Sequence, residues 1–200
     1  MKPSLSTLYS EGKIESAATR MGRAISKDFA GKTVHVVAIL EDAMVFASDL
    51  IRHIKPPVIC HFVRAQAHEV TLGGHLRKEI FFSHQPNLKG KDVLLVDAML
   101  DTGITLDFLS RRLLESQPRS LRIAVLLDRP ASRRVGVGPD YKGFEVASNY
   151  VVGYGLAGPN GLYRNLPYLA AVNGRGGSRA ASQASKKEMR AALRGRKGKG

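Results

Sequence analysis

The stretch DVLLVDAMLDTGITLDFLSRRLLES, from Asp92 to Ser116, constrains the fold more than any other part of the chain. An apolar run, VLLVD (93–97), ends on an acid. An acidic turn containing Gly103 follows, and Thr105 to Ser116 then place apolar residues at helical spacing. A second apolar run, LRIAVLL (121–127), comes next. Strand, helix, strand in this rhythm predicts a parallel sheet with helices on both faces.

The same alternation precedes it. Ile14, Ala17, Ala18, Met21, Ile25 and Phe29 recur at three- and four-residue intervals, the mark of an amphipathic helix. VHVVAIL (34–40) reads as a buried strand, and Met44 to Ile54 returns to helical spacing. Pro56 and Pro57 interrupt it, and VICHFVR (58–64) reads as the next strand. Residues 65–77 lack a clear period and read as a mobile loop, with KEIFFSH (78–84) as a further strand. Phe144 to Leu169 mixes aromatics, turns and short apolar runs, and reads as a small cap. The expected fold class is α/β: a central, mainly parallel sheet with flanking helices and a small cap subdomain.

Composition bounds the function. A hydrophobic fraction of 44% supplies an ordinary soluble core without staples. The single cysteine, Cys60, excludes an internal disulfide, reads as a buried thiol within VICHFV, and fits a reducing, cytoplasmic compartment. No run approaches the roughly 18 apolar residues of a membrane span, and MKPSLSTLYSEGKIES has no apolar core of signal-peptide type. The formal net charge is +14, of which residues 173–200 carry +8 through nine Lys or Arg against Glu188 alone. That Gly, Ser, Ala, Lys and Arg stretch has almost nothing to bury and reads as a disordered basic tail on a domain spanning 1–172. The remaining +6 on the body fits anionic ligands without demanding nucleic acid.

The turn after VLLVD is built for an anion. It lies at the carboxyl end of a parallel strand, where open α/β sheets bind ligands. Gly103 permits close backbone approach, Thr102 and Thr105 add hydroxyls, and successive N–H groups at a helix start form an anion nest. A bare Asp-Thr-Gly more often means an N-cap. The full pattern is four apolar residues, an acid, two apolar residues, then DTGxT.

That pattern resembles the 5-phosphoribosyl-1-pyrophosphate (PRPP) binding motif of type I phosphoribosyltransferases. KGKDVLLVD, LLDRPASRR, PDYKGFEV, YVVGYGL and YRNLPYL follow in the order and spacing of the hypoxanthine-guanine phosphoribosyltransferase family, over residues 8–172. The resemblance implies transfer of ribose 5-phosphate from PRPP to a purine nitrogen, with Mg²⁺ assistance and release of pyrophosphate. It implies that Asp101, Thr102, Gly103, Ile104 and Thr105 cradle the 5-phosphate and that Asp101 is the acid/base group facing purine N7. Asp97 would face the ribose hydroxyls and serve as a metal-directed carboxylate. Arg129 stands where the family places a lysine for the purine O6, Tyr150 would stack on the base, the backbone at Val151 would read its edge, and Arg164 would meet pyrophosphate. A homo-oligomer is also expected from the resemblance.

Several positions depart from the family. Ala98 replaces the second of two adjacent acids. Glu41, Asp42 and Ala43 replace the basic residue and glycine of the pyrophosphate loop, putting two carboxylates where an anionic leaving group should sit. The family has a cis peptide there, and the sequence does not fix the isomer of Leu40–Glu41. Ala67 and His68 stand in place of a Ser-Tyr pair in the mobile loop, where a solvated histidine is the plainer reading. Ala157 replaces an acid that helps hold the metal. These changes spare the 5-phosphate cradle and remove or invert groups for pyrophosphate, metal and lid.

Three readings therefore compete: a purine phosphoribosyltransferase, a non-catalytic nucleotide-binding regulatory protein, and an RNA- or ribosome-associated protein that binds polyanions through residues 173–200. The tail has no aromatic residue for base stacking. His53, His61, His75 and His84 have no spacing that specifies a metal. Arg111, Arg112, Arg133 and Arg134 read as anion contacts or, more plainly, as solvated surface charges.

Overall fold

The computed structural model describes residues 4–64, 67–72, 75–80, 86–147 and 150–173, without the side chains of 67–72, 75–80, 159 and 173. In chain order the elements are β1 (Ser4–Tyr9), α1 (Glu11–Asp28), β2 (Val34–Leu40), α2 (Met44–Arg52), β3 (Val58–Arg64), β4 (Ala67–Leu72), β5 (His75–Ile80), β6 (Asp92–Leu100), α3 (Ile104–Leu114), β7 (Ser120–Asp128), β8 (Tyr141–Glu145), β9 (Val151–Val152) and β10 (Leu169–Asn173). They divide into two compact units, residues 12–147 and a smaller unit that joins the N-terminal segment to residues from 148 onward.

The larger unit holds a five-stranded parallel sheet in the order β3-β2-β6-β7-β8. Its inner strands are apolar on both faces because helices cover both. β2 is buried along almost its whole length, as are the first five residues of β6 and the last six of β7. On one side Leu106, Leu109 and Leu113 of α3 pack with Val37, Ile39, Leu95 and Val125. The buried residues of α1, among them Ile14, Met21 and Ile25, lie outside that cluster. α1 meets the end of α2 where Gly22 lies against His53, so closely that a Cβ on Gly22 would come within 2.4 Å of the His53 Cβ. Such contact admits glycine alone unless the helices separate.

Two expectations are corrected. Residues 65–77 are not simply a loop: β4 and β5 form an antiparallel pair, with Ala67 opposite Ile80 and Leu72 opposite His75. β5 contains the start of KEIFFSH, while residues 81–84 lie outside the described residues. Cys60 is exposed rather than buried. β3 is an outer strand, and of its seven residues only Val63 is buried. The apolar run VICHF lacks the two-sided cover that its composition suggested.

In the smaller unit β1, β10 and β9 form an antiparallel sheet in that order, with Ser4 opposite Asn173 and Ala171 opposite Val151. The expected cap segment, 144–169, is thus shared: Phe144 belongs to β8 of the parallel sheet, and β9 and the start of β10 belong to the small sheet. Residues 174–200, most of the basic tail, lie outside the described residues.

Candidate functional site

β6 carries the site. It runs three residues beyond the expected VLLVD, so Ala98, Met99 and Leu100 are still strand and Asp101 begins the turn. Side chains alternate along the strand. Asp97 and Met99 are half-buried toward the ligand end, and Ala98 and Leu100 are fully buried. Ala98 therefore faces the core.

A cleft of about 280 Å³ opens at the carboxyl ends of β2 and β6. Ile39, Leu40, Met99, Leu100 and Leu106 supply apolar walls. Asp42, Asp97, Asp101, Thr102, Gly103 and Thr105 supply the polar lining. Five sequence-derived candidates thus converge on one concavity. Ile104, a sixth, is 39% exposed and does not line it.

Gly103 is the N-cap of α3 at φ 83°, in the left-handed region that favours glycine, and no side chain caps the helix. The plain N-cap meaning of Asp-Thr-Gly is not realised. Asp101 instead binds Arg129, whose Nε donates to Asp101 Oδ1 at 3.0 Å and whose Nη2 donates to Oδ2. Nε also lies 2.8 Å from Ser132 Oγ. Burial pushes the Asp101 carboxyl up, but the bonds from Arg129 and Ser132 and the charge of Arg133 outweigh it and hold the group below the usual carboxylate range.

Asp97 is in the opposite condition. Burial pushes its carboxyl up to about 7, the charge of Asp42 adds to the rise, and the Ala98 N–H, 2.7 Å from Oδ1, only partly offsets it. Of the two acids in the 41–42 loop, only Asp42 lines the cleft. Glu41 is exposed and pairs with Arg64 at 2.6 Å, across the ends of β2 and β3. The sequence expectation of two carboxylates facing the leaving group is thereby reduced to one. The Leu40–Glu41 peptide bond is cis.

The remaining candidates belong to the smaller unit. Tyr150 is half-buried just before β9, Val151 is buried within it, and Arg164 donates through Nη1 to the Gly155 carbonyl. Ala157 is half-buried in the same unit.

Other residues gain a role that the sequence did not reveal. Arg133 is no solvated charge: its side chain is 16% exposed, pairs with Asp128, and donates through Nη1 to the Asp101 carbonyl. Arg134 is exposed, but its backbone N–H donates to the Thr102 carbonyl at 2.9 Å. Arg111 and Arg112 form exposed pairs with Asp107 and Glu115. Among the described residues, no three His, Cys, Asp or Glu side chains cluster as a metal site, and no helix is long and apolar enough to cross a membrane.

Comparison with known proteins fits this geometry. A family model described as a phosphoribosyl transferase domain matches residues 4–157. The chain is 33% identical over 165 residues to a hypoxanthine-guanine phosphoribosyltransferase of Lactococcus lactis, covering 82% of this chain and 89% of that one. It is 34% identical to the enzyme of that name from Streptococcus pneumoniae, covering 82% and 91%. A crystal structure of a Bacillus anthracis hypoxanthine-guanine phosphoribosyltransferase superposes with a TM-score of 0.75 at 36% identity, covering 84% of this chain and 97% of that one.

Proposed function

Since the chain belongs to the hypoxanthine-guanine phosphoribosyltransferase family, we propose that it transfers ribose 5-phosphate from PRPP to a 6-oxopurine with release of pyrophosphate. The observation that carries the site assignment is the convergence of Asp97, Asp101 and the 102–105 turn on one cleft at the carboxyl end of the parallel sheet. The turn takes the 5-phosphate on backbone N–H groups and the hydroxyls of Thr102 and Thr105. Asp97 takes the ribose hydroxyls. Asp101 accepts the purine proton as the bond from N9 to C1 of the ribose forms and the bond from C1 to pyrophosphate oxygen breaks. Arg129 donates to the purine O6, as a planar fork rather than the point charge of a lysine. The resemblance alone supports the further roles of Tyr150 in stacking on the base, of the Val151 backbone in reading its edge, and of Arg164 in meeting pyrophosphate.

The cleft suits Mg²⁺. Asp42 and Asp97 both line it, and the charge of Asp42 raises the cost of ionising Asp97, a repulsion that a divalent cation relieves. Mg²⁺ is commonly held by one or two carboxylates and completed by substrate oxygens and water. Bound there with PRPP, it would neutralise charge on the pyrophosphate. Asp42 and Asp97 would hold it, and the apolar walls limit water.

A second reading, a nucleotide-binding protein without turnover, is favoured by the same site. Both oxygens of Asp101 are engaged by Arg129, Asp42 faces the leaving-group side, and no carboxylate stands at positions 98 or 157. Formation of nucleotide from PRPP and hypoxanthine or guanine separates the two. Turnover is expected with both bases and Mg²⁺, and Asp101→Asn should lower it by about 10²-fold or more. A folded protein that binds the nucleotide but forms none supports the second reading. We also propose a cytoplasmic protein that assembles with copies of itself. The exposed Ile59 and Phe62 on outer strand β3 support assembly, which light scattering tests.

A further inference from the structure

The phosphate turn is held from behind. Three successive carbonyls of the turn have assigned donors. The Asp101 carbonyl accepts from Arg133 Nη1, the Thr102 carbonyl from the Arg134 N–H at 2.9 Å, and the Gly103 carbonyl from the Asp107 N–H at 2.8 Å. In a trans peptide the N–H points opposite to the carbonyl. Drawing the carbonyls of Asp101 and Thr102 toward residues 133–134 therefore turns the N–H groups of Thr102 and Gly103 the other way, toward the cleft that both residues line.

Arg133 is itself fixed. Its Nη2 donates to Asp128 Oδ1 at the end of β7, where the Asp128 side chain is 5% exposed. Lys142 lies 3.6 Å from the other Asp128 oxygen. Lys142 also pairs with Glu145 at 2.9 Å, so Asp128 is left chiefly to hold Arg133. The stem of Arg133 also closes the space beside Gly103, where a Cβ would come within 3.1 Å of Arg133 Cδ and nearer still to Val135 and Val137.

We propose that Arg133 is a positioning residue for the 5-phosphate: it braces the Asp101 carbonyl and so presents the N–H groups of Thr102 and Gly103 to the anion. This deepens the assignment of residues 102–105 as the phosphate cradle and rests on it. Preorganised donors bind an anion without the cost of ordering the loop first.

The test uses the full chain and three ligands: guanosine 5′-monophosphate, guanosine and ribose 5-phosphate. Arg133→Met keeps the stem and removes the donors. Affinity for the two phosphorylated ligands is expected to fall by about 10-fold or more, guanosine binding is expected to stay level, and Arg133→Lys is expected to recover part of the loss. Unchanged binding of the phosphorylated ligands, or equal losses for guanosine and its monophosphate, would overturn the proposal, the latter because a mere packing role weakens both. Should Arg133→Met not fold, Asp128→Asn, which frees Arg133 from its orienting partner, must show the same selectivity for phosphorylated ligands in weaker form, and its absence overturns the proposal. A wild-type protein that binds ribose 5-phosphate but neither guanosine ligand would sink the purine assignment and leave the brace to be judged on ribose 5-phosphate. Binding of none of the three overturns both.

Discussion

Asp97 sits under two pressures, the lost solvation of its half-buried side chain and the charge of Asp42. Its folded-state carboxyl, raised to about 7, lies above its ordinary value of 3.8. A group raised in this sense stabilises the ligand-free fold fully below its unfolded value, and that contribution is lost as pH rises through about 7. Asp42→Asn removes one cause of the rise, so the Asp97 midpoint should move down and the fall in stability between pH 4 and 7 should shrink. Carbon-13 detection of the Asp97 carboxyl reads the midpoint directly, and an unmoved midpoint would mean that burial alone sets it. The sequence pointed to Asp97 and Asp101 because strand, acid and DTGxT are contiguous. It could not reveal that Glu41 turns away to Arg64, or that Arg129 engages both oxygens of Asp101, because those partners lie 23 and 28 residues away along the chain.

The turn between β6 and α3 depends on one backbone conformation. Gly103→Ala would place a Cβ at positive φ and within 2.8 Å of Val137 Cγ1 and 2.9 Å of Val135 Cγ2. We expect a loss of about 1–3 kcal/mol in chemical denaturation, together with weaker binding of ribose 5-phosphate. Wild-type stability and binding would contradict the assigned turn. Element boundaries were legible where apolar runs are short and bounded by breakers, as in β2 and β3, whose limits match VHVVAIL and VICHFVR. They were not legible where cover is partial. The β4–β5 pair, from Ala67 opposite Ile80 to Leu72 opposite His75, alternates too weakly to be read as strands. β1 has no apolar period of its own, and its place is set by pairing with β10, more than 150 residues later.

At the scale of the whole molecule the charge is uneven, with +8 of the +14 on residues 173–200. We propose that this segment binds polyanions such as RNA by neutralising phosphates, which makes affinity fall steeply with salt. Deleting residues 174–200 should abolish such binding and leave nucleotide formation by the rest of the chain intact. Equal RNA affinity with and without the segment would contradict that role, and lost nucleotide formation would tie the segment to the fold or the site instead. The proposed reaction requires that the cleft handle PRPP. The most direct measurement follows PRPP and guanine by phosphorus-31 NMR in the presence of the full chain and Mg²⁺. Nucleotide phosphate and pyrophosphate should appear together in equal amounts, and Asp101→Asn should suppress both. Unchanged PRPP over a folded protein that binds guanosine 5′-monophosphate would contradict phosphoribosyl transfer and leave a nucleotide-binding protein on the same fold.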